Sequence, residues 1–505
     1  MKIIKSATLD SIEATIIDVE ATFTKGMPSF TIVGMVSASI NESKDRIKSS
    51  LLLNNFKFPP LKITINLSPS ELNKKGSHFD LPIALQVALF DESKIEFDDF
   101  FFFGELALDG TIKDTSHIFA IVLSLAKKGE LKRVVSSLES AKKLGNIPNI
   151  DIYVVNTLNS AIEFVKSKDK DKDNYLYKKE EIKYHVLNIK DEQYFYNKKY
   201  DEDFKDVIGQ DMAKYAALIC AAGNHNFLME GSPGCGKSMI AKRLQYILAP
   251  MNLEEILEKA KLQALDLKEV DFSPIRAFRN PHHSSTKSSI FGGGSSNAKM
   301  GEVALSNHGV LFFDELPHFP SNILEALREP LEDNKILISR VNSKILYETK
   351  FIFVSAMNPC PCGNKLSSVK ECRCSDFEVQ RYKNRLSEPF LDRIDLYVVM
   401  NDSFSDNKNI VSSKELHESV IKAFIRQKNR GQKELNGKLN DKDIKKYCVL
   451  DNETSDILEK ARVNYSLSFR SINKILKVAR TIADINENEF ITKGDLLKSL
   501  NFRKR

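Results

Sequence analysis

The sequence predicts a multidomain α/β protein: a mixed α+β front, a central α/β domain on a parallel sheet, and an all-α C-terminal domain. Three observations predict it. The short apolar runs Asn226–Glu230, Val310–Phe313 and Phe351–Ser355 read as strands buried on both faces, as in a parallel sheet. A glycine-rich turn separates the first run from a helix-compatible stretch, Met239–Leu248. Beyond about residue 401 the pattern becomes helical, with Glu415–Arg430, Asp441–Tyr447, Glu453–Asn464 and Phe469–Ile485 as candidates.

The length of 505 residues suggests about three domains. A chain that is 42% hydrophobic and 28% charged is neither a disordered polymer nor a membrane bundle. No apolar run approaches the ~18 residues that span a bilayer, and the opening MKIIKSATLD lacks a signal-peptide core. The expectation is a cytoplasmic protein without a membrane partner.

Residues 1–165 hold candidate strands at Ala14–Val19, Phe30–Val33 and Leu61–Leu67, and helices at Leu81–Phe90 and Ile118–Lys128. Residues 166–203 begin KSKDKDKD, carry six Tyr, and read as an exposed charged linker with room to pack lightly on one neighbour. Residues 204–400 form the central domain and 401–505 the helical one. The formal charge of +6 conceals an uneven spread. Residues 1–165 are net −2 and 206–400 neutral, whereas 401–505 hold 22 basic and 15 acidic side chains. A basic terminal region is a candidate phosphate-backbone surface.

Gly231-Ser232-Pro233-Gly234-Cys235-Gly236-Lys237-Ser238 satisfies G-x-x-x-x-G-K-[ST] between a strand and a helix, the context that the motif requires. Glycines let backbone N–H groups and a helix N-terminus face phosphates. Lys237 is expected to reach the β- and γ-phosphates of ATP, and Ser238 to hold Mg²⁺. Asp314 and Glu315 emerge at the end of the apolar strand Val310–Phe313. Asp314 would bind Mg²⁺, and Glu315 would activate the attacking water. Asn358, ending the next strand, can orient that water.

With these motifs the sequence resembles an AAA+ ATPase, and more narrowly the magnesium-chelatase-like ComM/YifB family. The resemblance covers nearly the whole chain. It is most specific in RNPHHSSTKSSIFGGG (279–294), GEVALSNHGVLFFDELPHF (301–319), ILEALREPLED (323–333), SAMNPCPCG (355–363) and LDRID (391–395). IVGMVSASINESKDRI (32–47) and NLSPSELNKKGSHFDLPIAL (66–85) are similar to the family's N-terminal domain, and SFRSINKILKVARTIADI (468–485) to its C-terminal helices.

The resemblance implies that Val207-Ile208-Gly209-Gln210 packs on adenine and that Asn358 is sensor 1. It also implies that Arg393 is an arginine finger reaching a neighbouring subunit's ATP, and that Arg470 is the sensor-2 arginine. The plainer reading of either arginine is a surface ion pair. A finger supplied in trans requires a ring. The 76-residue gap from Ser238 to Asp314 would hold the family's insertion, around His282–Gly294. Asn334–Lys350, with Arg340 and Lys344 near its tip, is similar to the hairpin that lines the pore. His282 and His283 lack ligand spacing and read as structural.

Cys360, Cys362, Cys372 and Cys374 form C-x-C-x9-C-x-C within the loop 359–375. Four thiolates suit tetrahedral Zn²⁺, and a metal would order a loop with no core of its own. C-x-C is tighter than the usual C-x₂₋₄-C, so structural zinc and four free thiols both stand. Cys220, Cys235 and Cys448 are isolated.

The family's N-terminal domain resembles the proteolytic domain of Lon, which needs a Ser nucleophile activated by a Lys. Here the corresponding segments read KKGSHFDLPIA (74–84) and GTIKDTSHIFA (110–120), and neither Ser77 nor Lys113 has a Lon-like context. A proteolytically inactive domain is expected. The family's activity implies an ATP-driven hexameric helicase for branch migration, acting on single-stranded, forked or branched DNA during natural transformation. The alternatives are a chelatase-type ATPase that remodels a protein for metal insertion, and a Lon-like protease.

Overall fold

The structure, a computed structural model, describes residues 2–92, 97, 99–179, 184–293, 300–339, 344–401 and 410–503. The chain forms two compact units, Met1–Lys183 with Ala260–Phe272, and Tyr184–Lys259 with Ser273–Arg505. Length alone suggested three. The helical C-terminal region joins the second unit because Val478, Ile482 and Phe502 share a core with sheet residues Phe227, Met229 and Leu396.

The first unit is α+β. Its seven-stranded mixed sheet runs Ser29–Val33, Lys62–Ser68, Glu13–Thr24, Ile3–Asp10, Phe100–Phe102, Arg133–Ser136 and Asp151–Val154 from edge to edge. The period-2 pattern of KITINLS buries Ile63, Ile65 and Leu67 on one face. The helix Asp80–Ala88 is buried almost throughout, and the Arg46 guanidinium pairs with Asp80 at 2.8 Å to satisfy the carboxylate at its first turn.

In the second unit five strands, all parallel, run in the order Phe278–Arg279, Val310–Phe313, Ile352–Met357, Phe227–Gly231, Leu396–Met400. Continuous apolar runs such as VLFF suit strands covered on both faces, and all four residues are buried. Asn226 ties three segments together. Its amide donates to the Arg393 carbonyl at 2.8 Å and accepts from the Phe353 N–H at 3.1 Å, while its own N–H reaches Asp395 at 2.8 Å.

The helices Ser413–Asn429 and Phe469–Ile485 pack on Asp211–Gly223, whose alanines allow close approach. Ser412 and Glu415 form a capping box that starts the first of these, and Ser468 caps the second. The outer helices share a smaller core of their own around Ile444, Ala461, Ile475 and Leu496. Beyond the sheet edge, the Tyr397 N–H donates to the Phe502 carbonyl at 2.7 Å.

The segment expected as an exposed charged linker, 166–203, is structured where described. Strands His185–Ile189 and Glu192–Tyr196 form a hairpin that pairs with Met251–Asn252. Ile189, Tyr194 and Phe195 are buried, and the Tyr200 hydroxyl reaches His417 Nδ1 at 3.0 Å. Its aromatic residues supply enough apolar surface to hold the charged chain down. The Asn334–Lys350 segment forms the antiparallel strands Lys335–Ser339 and Lys344–Glu348, while residues 340–343, including Arg340, lie outside the described residues. No helix among the described residues is long and apolar enough to cross a membrane.

Candidate nucleotide site and cysteine loop

The strand Phe227–Gly231 and the helix Lys237–Leu244 flank a loop in which Gly234 and Gly236 adopt φ of +83° and +99°. These left-handed angles turn the backbone tightly enough to expose a row of N–H groups. The buried Lys237 ammonium donates to the carbonyls of Gly231 at 2.5 Å and Ser232 at 2.9 Å, and to Asn358 Oδ1 at 3.2 Å. The Ser238 hydroxyl donates to Asp314 Oδ2 at 2.8 Å. The structure therefore gathers Lys237, Ser238, Asp314 and Asn358 from three adjacent strand ends. A hydroxyl beside a carboxylate at the foot of a phosphate loop is the oxygen donor set that suits Mg²⁺.

Glu315 follows Asp314 in the left-handed region, at φ +52°, and its N–H donates to Asp314 Oδ1 at 3.0 Å. Its carboxylate lies 3.4 Å from His283 Nδ1. Sequence reading left His283 as structural. The one signal available was its place just after Phe278–Arg279, the strand that pairs with Val310–Phe313. Ile208 is exposed, next to buried Val207, so an apolar side chain stands free near the loop.

Arg393 and Arg470 come together, and away from the phosphate loop. Both pair with Glu332, Arg470 through Oε1 and Arg393 through Oε2, and Arg393 also donates to the Arg328 carbonyl at 3.3 Å. Among the described residues neither donates to Gly231–Ser238. In the single chain the plainer expectation, an ion pair, describes both.

Three further contacts are not legible in the sequence. Lys383 pairs with Glu230 at 2.7 Å, directly before the phosphate loop, and the Tyr397 hydroxyl donates to the same buried carboxylate. Gly363, at φ +79°, lies so close to the loop that a Cβ there would sit 2.7 Å from Pro233. Gly363 lies within the cysteine loop, and Lys383 ends the helix Asp376–Lys383 that follows it.

The four Cys sulfurs lie within 4.8 Å of one another, with Cys360 buried. Cys360–Cys362, Cys360–Cys372 and Cys362–Cys372 are 3.4, 3.7 and 3.7 Å apart. Tetrahedral zinc at about 2.3 Å from each sulfur gives edges of about 3.8 Å, so the quartet fits the metal despite its tight spacing. Backbone N–H groups of Asn364 and Arg373 pull the Cys362 thiol down to about 6, whereas Cys374, despite a backbone hydrogen bond, is pushed up to about 12 by the Cys362 and Cys360 sulfurs beside it. Ser77 and Lys113, which the sequence places outside a Lon-like context, make no hydrogen bond to each other among the described residues: Ser77 donates to Glu105, and Lys113 lies in the strand Ile112–Lys113 with its side chain exposed.

A phosphate loop, paired carboxylates and a strand-end Asn on a parallel sheet of this order define a P-loop ATPase of the AAA+ class. The profile described as "Magnesium chelatase, subunit ChlI" matches residues 203–408, with "Subunit ChlI of Mg-chelatase" at 19–139 and "Magnesium chelatase, subunit ChlI C-terminal" at 411–503. The chain is 35% identical over 514 residues to Competence protein ComM of Haemophilus influenzae, covering 100% of this chain and 97% of that protein. It is 34% identical over 512 residues to YifB of Escherichia coli K12, again covering 100% and 97%. The chain belongs to the ComM/YifB family of magnesium-chelatase-like AAA+ ATPases. A weaker likeness, 25% over 146 residues, links 27% of the chain to Lon protease 2 of Bacillus subtilis.

Proposed function

We propose that the protein is an ATP-driven DNA motor. It assembles as a cytoplasmic homo-hexamer and drives helicase-type branch migration on single-stranded, forked or branched DNA during natural transformation. The observation that carries this reading is the converging set Lys237, Ser238, Asp314 and Asn358, in a chain alike over its full length to a protein named for competence. The basic region 401–505 supports a phosphate-backbone partner.

In this reading Gly231–Ser238 cradles the phosphates of ATP, with Ile208 against the adenine. Ser238 and Asp314 hold Mg²⁺. Glu315 takes the proton of the attacking water, which Asn358 orients. Arg393 leaves Glu332 to reach a neighbouring subunit's γ-phosphate, and Arg470 senses nucleotide. Residues 1–165 form a proteolytically inactive Lon-like domain, 204–400 the motor core, and 401–505 the lid. Cys360, Cys362, Cys372 and Cys374 hold structural Zn²⁺ that fixes the loop against Pro233.

ATPase measured with and without a four-way DNA junction tests the motor reading, with Lys237→Ala as the inactive control. DNA-stimulated turnover and strand displacement are expected. Turnover indifferent to DNA would overturn this reading and favour the second, a chelatase-type remodelling ATPase, which the three magnesium-chelatase profiles support.

A further inference from the structure

A carboxylate that acts as general base must bring an oxygen within hydrogen-bond reach of the water, and a neighbour that holds its other oxygen fixes that aim. The Glu315 backbone is fixed: its N–H donates to Asp314 Oδ1, and its carbonyl accepts from the His318 N–H at 2.8 Å. Its side chain is half exposed, and among the described residues His283 supplies the one polar side-chain atom within ion-pairing distance of the carboxylate. Holding the far end of Glu315 falls to that imidazole.

The His283 ring is itself constrained. His282 lies against it with centroids 4.1 Å apart and the rings tilted by 35°, and Phe319 meets it edge-on at 6.5 Å and 82°. Phe319 in turn stacks at 4.1 Å on Phe313, the last residue of the strand that delivers Asp314 and Glu315. His282 is anchored separately, its Nδ1 accepting from the Ser284 N–H at 3.3 Å. A ring lodged among His282, His318 and Phe319 has little freedom to turn its nitrogen away from Glu315.

We propose that His283 is a positioning residue for ATP hydrolysis, its Nδ1–H holding one oxygen of Glu315 so that the other faces the attacking water. This rests on Glu315 being the base. Among the described residues His283 makes no hydrogen bond or ion pair to the phosphate loop, so its effect falls on turnover and not on nucleotide affinity. Misplacement of a reacting group by about 1 Å costs up to about a hundredfold in rate.

The test is steady-state ATPase of the full chain, with binding of a fluorescent ATP analogue measured in parallel. His283→Ala is expected to lower kcat between about ten- and a hundredfold with KM for ATP unchanged. His283→Asn, whose amide N–H stands where Nδ1–H stood, is expected to recover most of that loss. Should His283→Ala melt early, His283→Phe keeps a ring between His282 and Phe319 without the donor, and the Phe–Asn pair gives the same comparison. Wild-type kcat in both donor-less variants, or a change in KM alone, overturns the proposal. So does a His283→Asn variant as slow as they are. Glu315→Gln separates the two claims: if it still turns over, the base assignment fails, and if it is inactive while His283→Ala is not, only the role of His283 fails.

Discussion

Arg393 and Arg470 hold opposite oxygens of one carboxylate, Glu332. They come from LDRID and from the start of the helix Phe469–Ile485, yet in the single chain they share a counter-ion. If either is to meet nucleotide, it must first leave Glu332. For the exposed Arg470 such a pair is worth at most about 1 kcal/mol, while Arg393 would also give up its bond to the Arg328 carbonyl. Glu332→Ala is expected to raise ATP turnover of the assembled protein by no more than about fivefold, whereas Arg393→Ala abolishes it. A drop in turnover for Glu332→Ala in the same assay would make Glu332 a part of the working site.

Replacing Glu315 by Gln keeps the shape of the site and removes the carboxylate. Turnover is expected to fall about 10²- to 10⁴-fold while ATP is still bound. Quench-flow measurement of bound ATP against ADP checks this, and rapid appearance of ADP would argue for another base.

The cysteine quartet predicts about one zinc per chain by elemental analysis, reduced in Cys372→Ser. Gly363→Ala places a methyl against Pro233 and strains a left-handed backbone while leaving all four thiols intact. It should weaken ATP binding with zinc content unchanged. Loss of zinc together with ATP binding would instead mean that the substitution unfolds the loop.

Burial pushes His78 and His417 down from 6.5 to about 4. Both are held neutral in the fold and prefer protonation when unfolded. Their stabilising contribution is therefore full above about pH 6.5 and lost as pH falls toward 4, up to about 3 kcal/mol each. The melting temperature should drop across that window, and less steeply in His417→Gln. An unchanged slope would assign the acid sensitivity to the carboxylates.

Much of the fold was legible because its signals are local. Val310–Phe313 and Asp441–Tyr447 have the bounds that their apolar run and helical periodicity suggest. Lys237, Ser238 and Asp314 were legible because their spacing is set by phosphate chemistry. The hairpin His185–Tyr196 was hidden by the charges before it, although Ile189, Tyr194 and Phe195 carry its burial. His283 beside Glu315, Lys383 on Glu230 and the shared Glu332 were not legible. Each joins segments far apart in sequence, and only the strand order of the sheet brings them together.

The hydrogen bond from the Tyr397 N–H to the Phe502 carbonyl has a consequence for how much of the chain the ATPase core needs. Leu396–Met400 is an outer strand, and an outer strand with unpaired amides invites pairing with other molecules. The residues around Phe502 act as its guard rail, covering the apolar surface of Leu396 as well as one amide. A core trimmed at the end of that strand would bare a sticky margin, and it would be expected to self-associate nonspecifically instead of assembling in an ordered way.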